Sequence, residues 1–111
     1  MSESKTDNVK YKIILNFFRA NDCPFCKNLT PIIDEIENDN DNDIFDVRYF
    51  DWDENRDICD HYNIEYVPTV TIELKDYEMK RIHGVKTKEE YQSAIDNVLE
   101  IYDLITNESE G

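Results

Sequence analysis

The order of strand-like and helix-like stretches predicts an α/β fold: a four-stranded mixed sheet flanked by helices on both faces, in the order β-α-β-α-β-β-α. Three observations carry this. A run of β-forming residues, Tyr11 to Phe18, leads within a few residues to a helix opened by Cys23-Pro24. A second strand and a short helix follow, and a strand–helix–strand unit requires a parallel pair with a right-handed crossover. Two further strands are separated by a short polar stretch, which reads as a hairpin and brings antiparallel pairing.

Tyr11 to Phe18 is mostly apolar and rich in β-formers, as expected of a strand buried on both faces. Arg19-Ala20-Asn21-Asp22 turns the chain into the first helix, whose Leu29, Ile32, Ile33 and Ile36 form one apolar stripe. Pro31 lies inside that helix and cannot donate to the carbonyl four residues back, so a kink is expected. Asn38 to Asp43 alternates Asp and Asn, but it lacks the Gly and the twelfth-position Glu of a calcium loop and reads as solvated loop. Phe45 to Trp52 reads as the second strand, and Asp53 or Asn55 can cap a short helix with Ile58, Cys59 and Tyr62 on one face. Cys59 is then a small core residue, the usual fate of a free cysteine. Thr69 to Leu74 and Met79 to His83 make the hairpin, with Lys75-Asp76-Tyr77-Glu78 as its turn, although Tyr77 is awkward where Gly would be expected. Gly84 breaks the last strand. Thr87-Lys88-Glu89-Glu90 is a capping box that starts a helix striped by Tyr91, Ile95, Val98, Tyr102 and Ile105. Residues 1–8 read as a loose arm, 9–106 as one domain and 107–111 as a frayed tail.

A chain of 111 residues, 40% hydrophobic and 34% charged, suits one globular domain with a heavily charged surface. The net charge of −14 disfavours nucleic acid and anionic membranes as partners, because their phosphates would be repelled. No run is long enough to cross a membrane, and the polar start has no secretory apolar core. Three cysteines make a poor disulfide framework, so a reducing, cytoplasmic compartment is the simplest expectation.

Chemistry concentrates at Asp22-Cys23-Pro24-Phe25-Cys26-Lys27. Pro24 suits the first helical position, where its missing N–H would have been unpaired anyway. Cys23 then becomes the N-cap, its sulfur facing the free N–H groups of the first turn, and the positive end of the helix dipole favours its thiolate. Cys26, one turn on, adds a second sulfur, which equips the segment for thiol–disulfide exchange. The alternative is half of a zinc site. Cys59, His61 and His83 supply neither a second Cys-x-x-Cys nor a His pair at metal-ligand spacing, so no metal site is expected. His61 and His83 read as surface or partly buried polar residues.

Over roughly residues 12–105 the chain resembles the thioredoxin family. Cys23-Pro24-Phe25-Cys26-Lys27 with Leu29 and Pro31 resembles the family's active-site helix. Asp51-Trp52-Asp53-Glu54-Asn55 resembles the end of its next strand, and Tyr62 to Thr69 the approach to its cis-proline. His83-Gly84-Val85 with the capped helix resembles the close of the fold. The resemblance implies catalytic Cys23 and Cys26, tuned by Asp22, Pro24, Phe25 and Lys27. It also implies a cis Pro68 lying against the cysteines, a Val67 backbone that pairs with an extended substrate, and a Gly84 that leaves room beside the site. No cofactor is expected. The implied partners are disulfide-containing proteins and, as electron source, a reductase or glutathione, with the chain acting as a monomer.

Departures from the pattern matter. Asp22 replaces the Trp usual before the first Cys and should oppose the thiolate, with Lys27 and Arg19 as partial offset. Phe17 stands where the family has a buried Asp that relays a proton to the second Cys, and Tyr49 where that Asp has its Lys partner. Deprotonation of Cys26 must then rely on water or another group, such as Asp22. The Pro-Phe between the cysteines differs from the Gly-Pro of thioredoxins and resembles the Pro-Tyr of glutaredoxins. A glutathione-dependent, glutaredoxin-like reductase is therefore one alternative, disfavoured because Gly84 has no second glycine beside it. A non-catalytic binding module on the same fold is another.

Overall fold

The computed structural model describes residues 11–110, with side chains up to 106, so the arm assigned to residues 1–8 lies outside the described residues. The elements are β1 (Ile13–Arg19), α1 (Pro24–Asp39), β2 (Phe45–Asp51), α2 (Arg56–His61), β3 (Thr69–Leu74), β4 (Tyr77–His83) and α3 (Lys88–Glu110). The sheet runs β2-β1-β3-β4, with β1 and β2 parallel and the other two pairs antiparallel. The predicted fold class, element order and mixed sheet are all present.

Because side chains alternate along a strand, odd and even positions of β1 serve different layers. Ile13, Leu15 and Phe17 join Val70, Ile72 and Leu74 of β3 in a core closed by Leu29, Ile33 and Ile36 of α1 and by Tyr91, Ile95 and Val98 of α3. Those helical residues are the apolar stripes read from the sequence. On the opposite face Phe18 packs with Cys59 and Ile64, under the short α2. Cys59 is fully buried, as expected of a core residue.

Local signals explain most boundaries. Thr87 Oγ1 accepts from the Glu90 backbone N–H at 3.1 Å while Glu90 Oε1 accepts from the Thr87 N–H at 3.0 Å, the reciprocal pair of a capping box. Asn55 stands at the N-cap of α2 but makes no capping bond; its amide instead donates to the Asp51 carbonyl at 3.1 Å. α3 continues to Glu110, past residue 106, since no Gly or Pro interrupts the chain before Gly111.

The hairpin differs from the expectation. Leu74 pairs directly with Tyr77, so the turn is Lys75-Asp76 and both Tyr77 and Glu78 belong to β4. Lys75 and Asp76 have φ of 55° and 69°, the two positive values of a type I′ turn, whose twist matches that of the flanking strands. Asp tolerates that region, and the awkward Tyr77 is relieved of it. A register shift at Ile72/Glu73 takes up one extra residue of β4.

Candidate active site

Pro24 occupies the first position of α1 and leaves Cys23 as N-cap in extended backbone conformation (φ −101°, ψ 105°). The Cys26 backbone N–H donates to Cys23 Sγ at 3.1 Å. The first sulfur thus faces the unpaired N–H groups and the positive end of a 16-residue helix, as its place in the sequence demands. Cys23 and Cys26 are joined as a disulfide, with Cα atoms 5.2 Å apart. Cys23 is partly exposed and Cys26 is buried behind it.

The second half of the site arrives from 44 positions further along. The Val67–Pro68 peptide bond is cis, and the Val67 carbonyl oxygen lies 4.0 Å from Cys23 Sγ. The Gly84 N–H donates to the Pro68 carbonyl at 2.9 Å, and the Gly84 carbonyl accepts from the Tyr91 hydroxyl at 2.7 Å. Gly84 has φ +80°, a value that favours glycine, and a β-carbon added there would meet no atom within 4 Å. Cys23, Cys26, Val67, Pro68 and Gly84 are therefore assembled at one end of the sheet. Asp22, Pro24, Phe25 and Lys27 surround them and are exposed, Phe25 at 64%.

Tyr66 and Thr69, to which the sequence assigned no role in the site, join this group together with His83 and Arg19. Tyr66 is 54% exposed, and its ring lies 4.8 Å from that of His83. Thr69 Oγ1 donates to the Tyr66 carbonyl at 2.7 Å and lies 3.2 Å from His83 Nδ1, tying the loop before Pro68 to the end of β4. The adjacency of Tyr66 to the Val-Pro step was the available signal. Behind the disulfide, Arg19 Nε donates to Asp51 Oδ1 at 3.1 Å, and the guanidinium sits 4.7 Å from the Tyr49 ring centroid. No local sequence signal links Arg19 to Asp51, which are 32 positions apart.

Phe17 and Tyr49 face one another in the register of β1 and β2, with ring centroids 5.9 Å apart. The Tyr49 hydroxyl donates to Asp34 at 2.6 Å and Glu37 at 3.2 Å. Burial first, and then these carboxylates, push the Tyr49 phenol well above its ordinary pKa, so it stays protonated. Cys59 is fully buried in the cluster with Phe18 and Ile64, where burial first and Asp60 second push its thiol up. Among the described residues no three His, Cys, Asp or Glu side chains cluster so as to hold a metal ion. Nor, among them, is any helix long and apolar enough to cross a membrane.

A thioredoxin family model matches residues 3–97. The chain belongs to the thioredoxin family. Solved thioredoxins share its architecture. Thioredoxin 1 of Thermosipho africanus is 29% identical over 81% of this chain and 98% of its own, with a TM-score of 0.70. A mutant thioredoxin of Halobacterium salinarum is 22% identical over 86% of this chain and 79% of its own, with a TM-score of 0.72. Thioredoxin-2 of the malaria parasite, described as a component of its protein secretion machinery, is 16% identical over 79% and 84% at a TM-score of 0.74. No curated protein matches by sequence. Thioredoxin-family membership together with a joined Cys-x-x-Cys pair at a helix tip makes this a redox centre of thioredoxin type.

Proposed function

We propose that this protein is a thiol–disulfide oxidoreductase in which Cys23 attacks a protein disulfide and Cys26 resolves the product. In the dithiol form the Cys23 thiolate, favoured by the first-turn N–H groups, attacks one sulfur of the substrate disulfide. A Cys23–substrate disulfide forms and the other substrate sulfur leaves as a thiolate. The Cys26 thiolate then attacks Cys23 Sγ, which closes the Cys23–Cys26 bond and releases the second substrate thiolate. The substrate gains two electrons and the protein loses them, so a reductase or glutathione must restore the dithiol; the reverse sequence oxidises a dithiol substrate.

The observation that carries this reading is the 3.1 Å hydrogen bond from the Cys26 N–H to Cys23 Sγ at the start of α1. The Val67 backbone beside that sulfur offers an edge on which an extended substrate segment can add as a strand. Exposed Phe25, Tyr66 and Val85 give apolar contact for residues flanking the substrate cysteine. The acidic surface steers towards basic partners.

Turnover of a protein disulfide by a dithiol reductant tests the reading. Cys23→Ser is expected to abolish it, and Cys26→Ser to leave Cys23 covalently attached to substrate. Undiminished turnover in Cys23→Ser would overturn it. Turnover driven by glutathione alone, and never by a thioredoxin reductase, would redirect the assignment to a glutaredoxin-like reductase.

A further inference from the structure

The resolving step requires Cys26 to lose a proton while buried, and the two core positions nearest in register carry no base. Phe17 is a hydrocarbon ring, and Tyr49 is a protonated phenol committed to Asp34 and Glu37. Cys26 does, however, line a cleft of about 170 Å³ between the tip of α1 and the carboxyl ends of β1 and β2. That is room for a few water molecules at about 30 Å³ each. Its other walls include Arg19, Lys27, Thr30 and Asp51. Asp51 is the carboxylate among them. Asp22, the base suggested by the sequence, is exposed and is not among the residues lining this cleft.

The register shows why Asp51 reaches this place. Arg19 pairs with Asp51 one sheet step beyond the Phe17–Tyr49 pair, on the same face and closer to the helix tip. The charged groups facing the Asp51 carboxylate are Arg19 from β1, in direct contact, and Lys27 from α1 across the cleft; Asp34 and Glu37 are engaged by Tyr49. Thr30 Oγ1 donates to the Cys26 carbonyl at 2.9 Å, so that wall is fixed and does not compete for the proton.

We propose that Asp51, held by Arg19, is the proton acceptor for Cys26 during resolution of the mixed disulfide, acting through water in this cleft. The Cys26 S–H bond breaks as its sulfur bonds to Cys23 Sγ. The Cys23–substrate S–S bond breaks and its electron pair leaves on the substrate sulfur. The proton passes through water to Asp51 and from there to bulk solvent or the departing thiolate, so charge balances and no further oxidant or reductant is needed. The proposal rests on the oxidoreductase reading above.

Rapid mixing of the reduced full chain with dithiobis(nitrobenzoate) separates the two steps, because Cys23 attack and Cys26 resolution each release one coloured thiolate. Asp51→Asn is expected to leave the first release unchanged and to slow the second at pH 7 on the order of 10- to 100-fold, at or below the low end for general-base catalysis. The difference should close as pH rises above about 9, where a thiol ionises unaided. Asp51→Glu should keep the wild-type pH profile; should the Asn variant not fold, Asp51→Ser carries the same comparison. An unchanged second release at pH 7, or a slowing equal at all pH values, would overturn the proposal while leaving the oxidoreductase reading intact. Absence of any Cys23-dependent release from the wild-type chain would overturn both.

Discussion

On the face beneath α1 and α3, Ile13, Leu15, Phe17, Val70 and Ile72 are fully buried and apolar, whereas the opposite face changes character along its length. At the cysteine end of that second face Phe18 meets Cys59 and Ile64 under α2. At the far end Asn16, Thr71 and Glu73 are buried instead, with Asn16 Nδ2 donating to Thr71 Oγ1 at 3.1 Å and Glu73 Oε2 at 2.9 Å. Asn16 Oδ1 is buried without a partner. Beyond this cluster a cleft of about 430 Å³ opens, lined by Lys12, Asp46, Arg48, Glu73 and Lys75 among others. The difference teaches where rigidity is placed. The second face is apolar where Phe18 packs at the redox end, although Thr69 is buried there with its hydroxyl bonded to the Tyr66 carbonyl. Its polar cluster of Asn16, Thr71 and Glu73 lies towards the far end, where burial makes pairing matter.

The largest break in this pattern should come from the apolar face. Ile72→Ala leaves a cavity between the sheet and two helices and should cost about 2–5 kcal/mol, read as a fall in the urea unfolding midpoint. A loss below about 1 kcal/mol would mean that the layer can collapse around the hole. On the polar side, Asn16→Leu strips the Glu73 carboxylate of its buried donor and should cost about 1–3 kcal/mol. Adding Glu73→Leu should recover most of that, because an apolar pair has nothing left to satisfy; a double variant as unstable as the single would show that the cluster stabilises by more than mutual pairing.

Smaller effects sharpen the comparison. Among the described residues only α3, on the apolar face, has a closed capping box; α2 has none. Thr87→Ala should therefore cost about 1 kcal/mol in the same unfolding assay. The bonds from the Thr87 backbone and then its side chain hold the Glu90 carboxyl below its ordinary pKa. Its contribution is thus present above the ordinary carboxylate range and lost as pH falls through the lowered value. In Thr87→Ala that acid-side dependence should shrink, and an unchanged profile would argue that the box contributes nothing.

Alkaline pH probes the two faces through their tyrosines. Tyr62, on the α2 side, is pushed up to about 12 by burial first and by Glu73 second. A phenol raised in the folded state favours folding fully below its unfolded pKa of about 10, and that stabilisation is lost as pH rises through the folded value. The unfolding midpoint should fall between about pH 10 and 12, and Tyr62→Phe should remove part of the fall. Tyr49, on the apolar face, is raised further, so its loss also begins near the unfolded value of about 10 and continues to higher pH than that of Tyr62. A midpoint flat across this window would contradict the burial of Tyr62.

How much was legible follows from the range over which each signal acts. The sequence by itself determined the order of elements, the apolar stripes of α1 and α3, the capping box, and a cysteine placed at a helix tip by the proline after it. Each is a matter of spacing within a turn or two, where backbone geometry leaves few choices. Only the tertiary structure decided that Lys75-Asp76, and not Tyr77, makes the hairpin turn, since strand register sets which residues must take positive φ. It gave the Val67 carbonyl its place 4.0 Å from Cys23, 44 positions away, where the resemblance had implied a meeting. It alone buried Asn16 with Glu73 and set the Arg19–Asp51 pair on the wall that Cys26 shares. These are meetings between strands, and a polar residue within a strand does not announce which neighbour, or which face, it will find until the sheet is paired and covered.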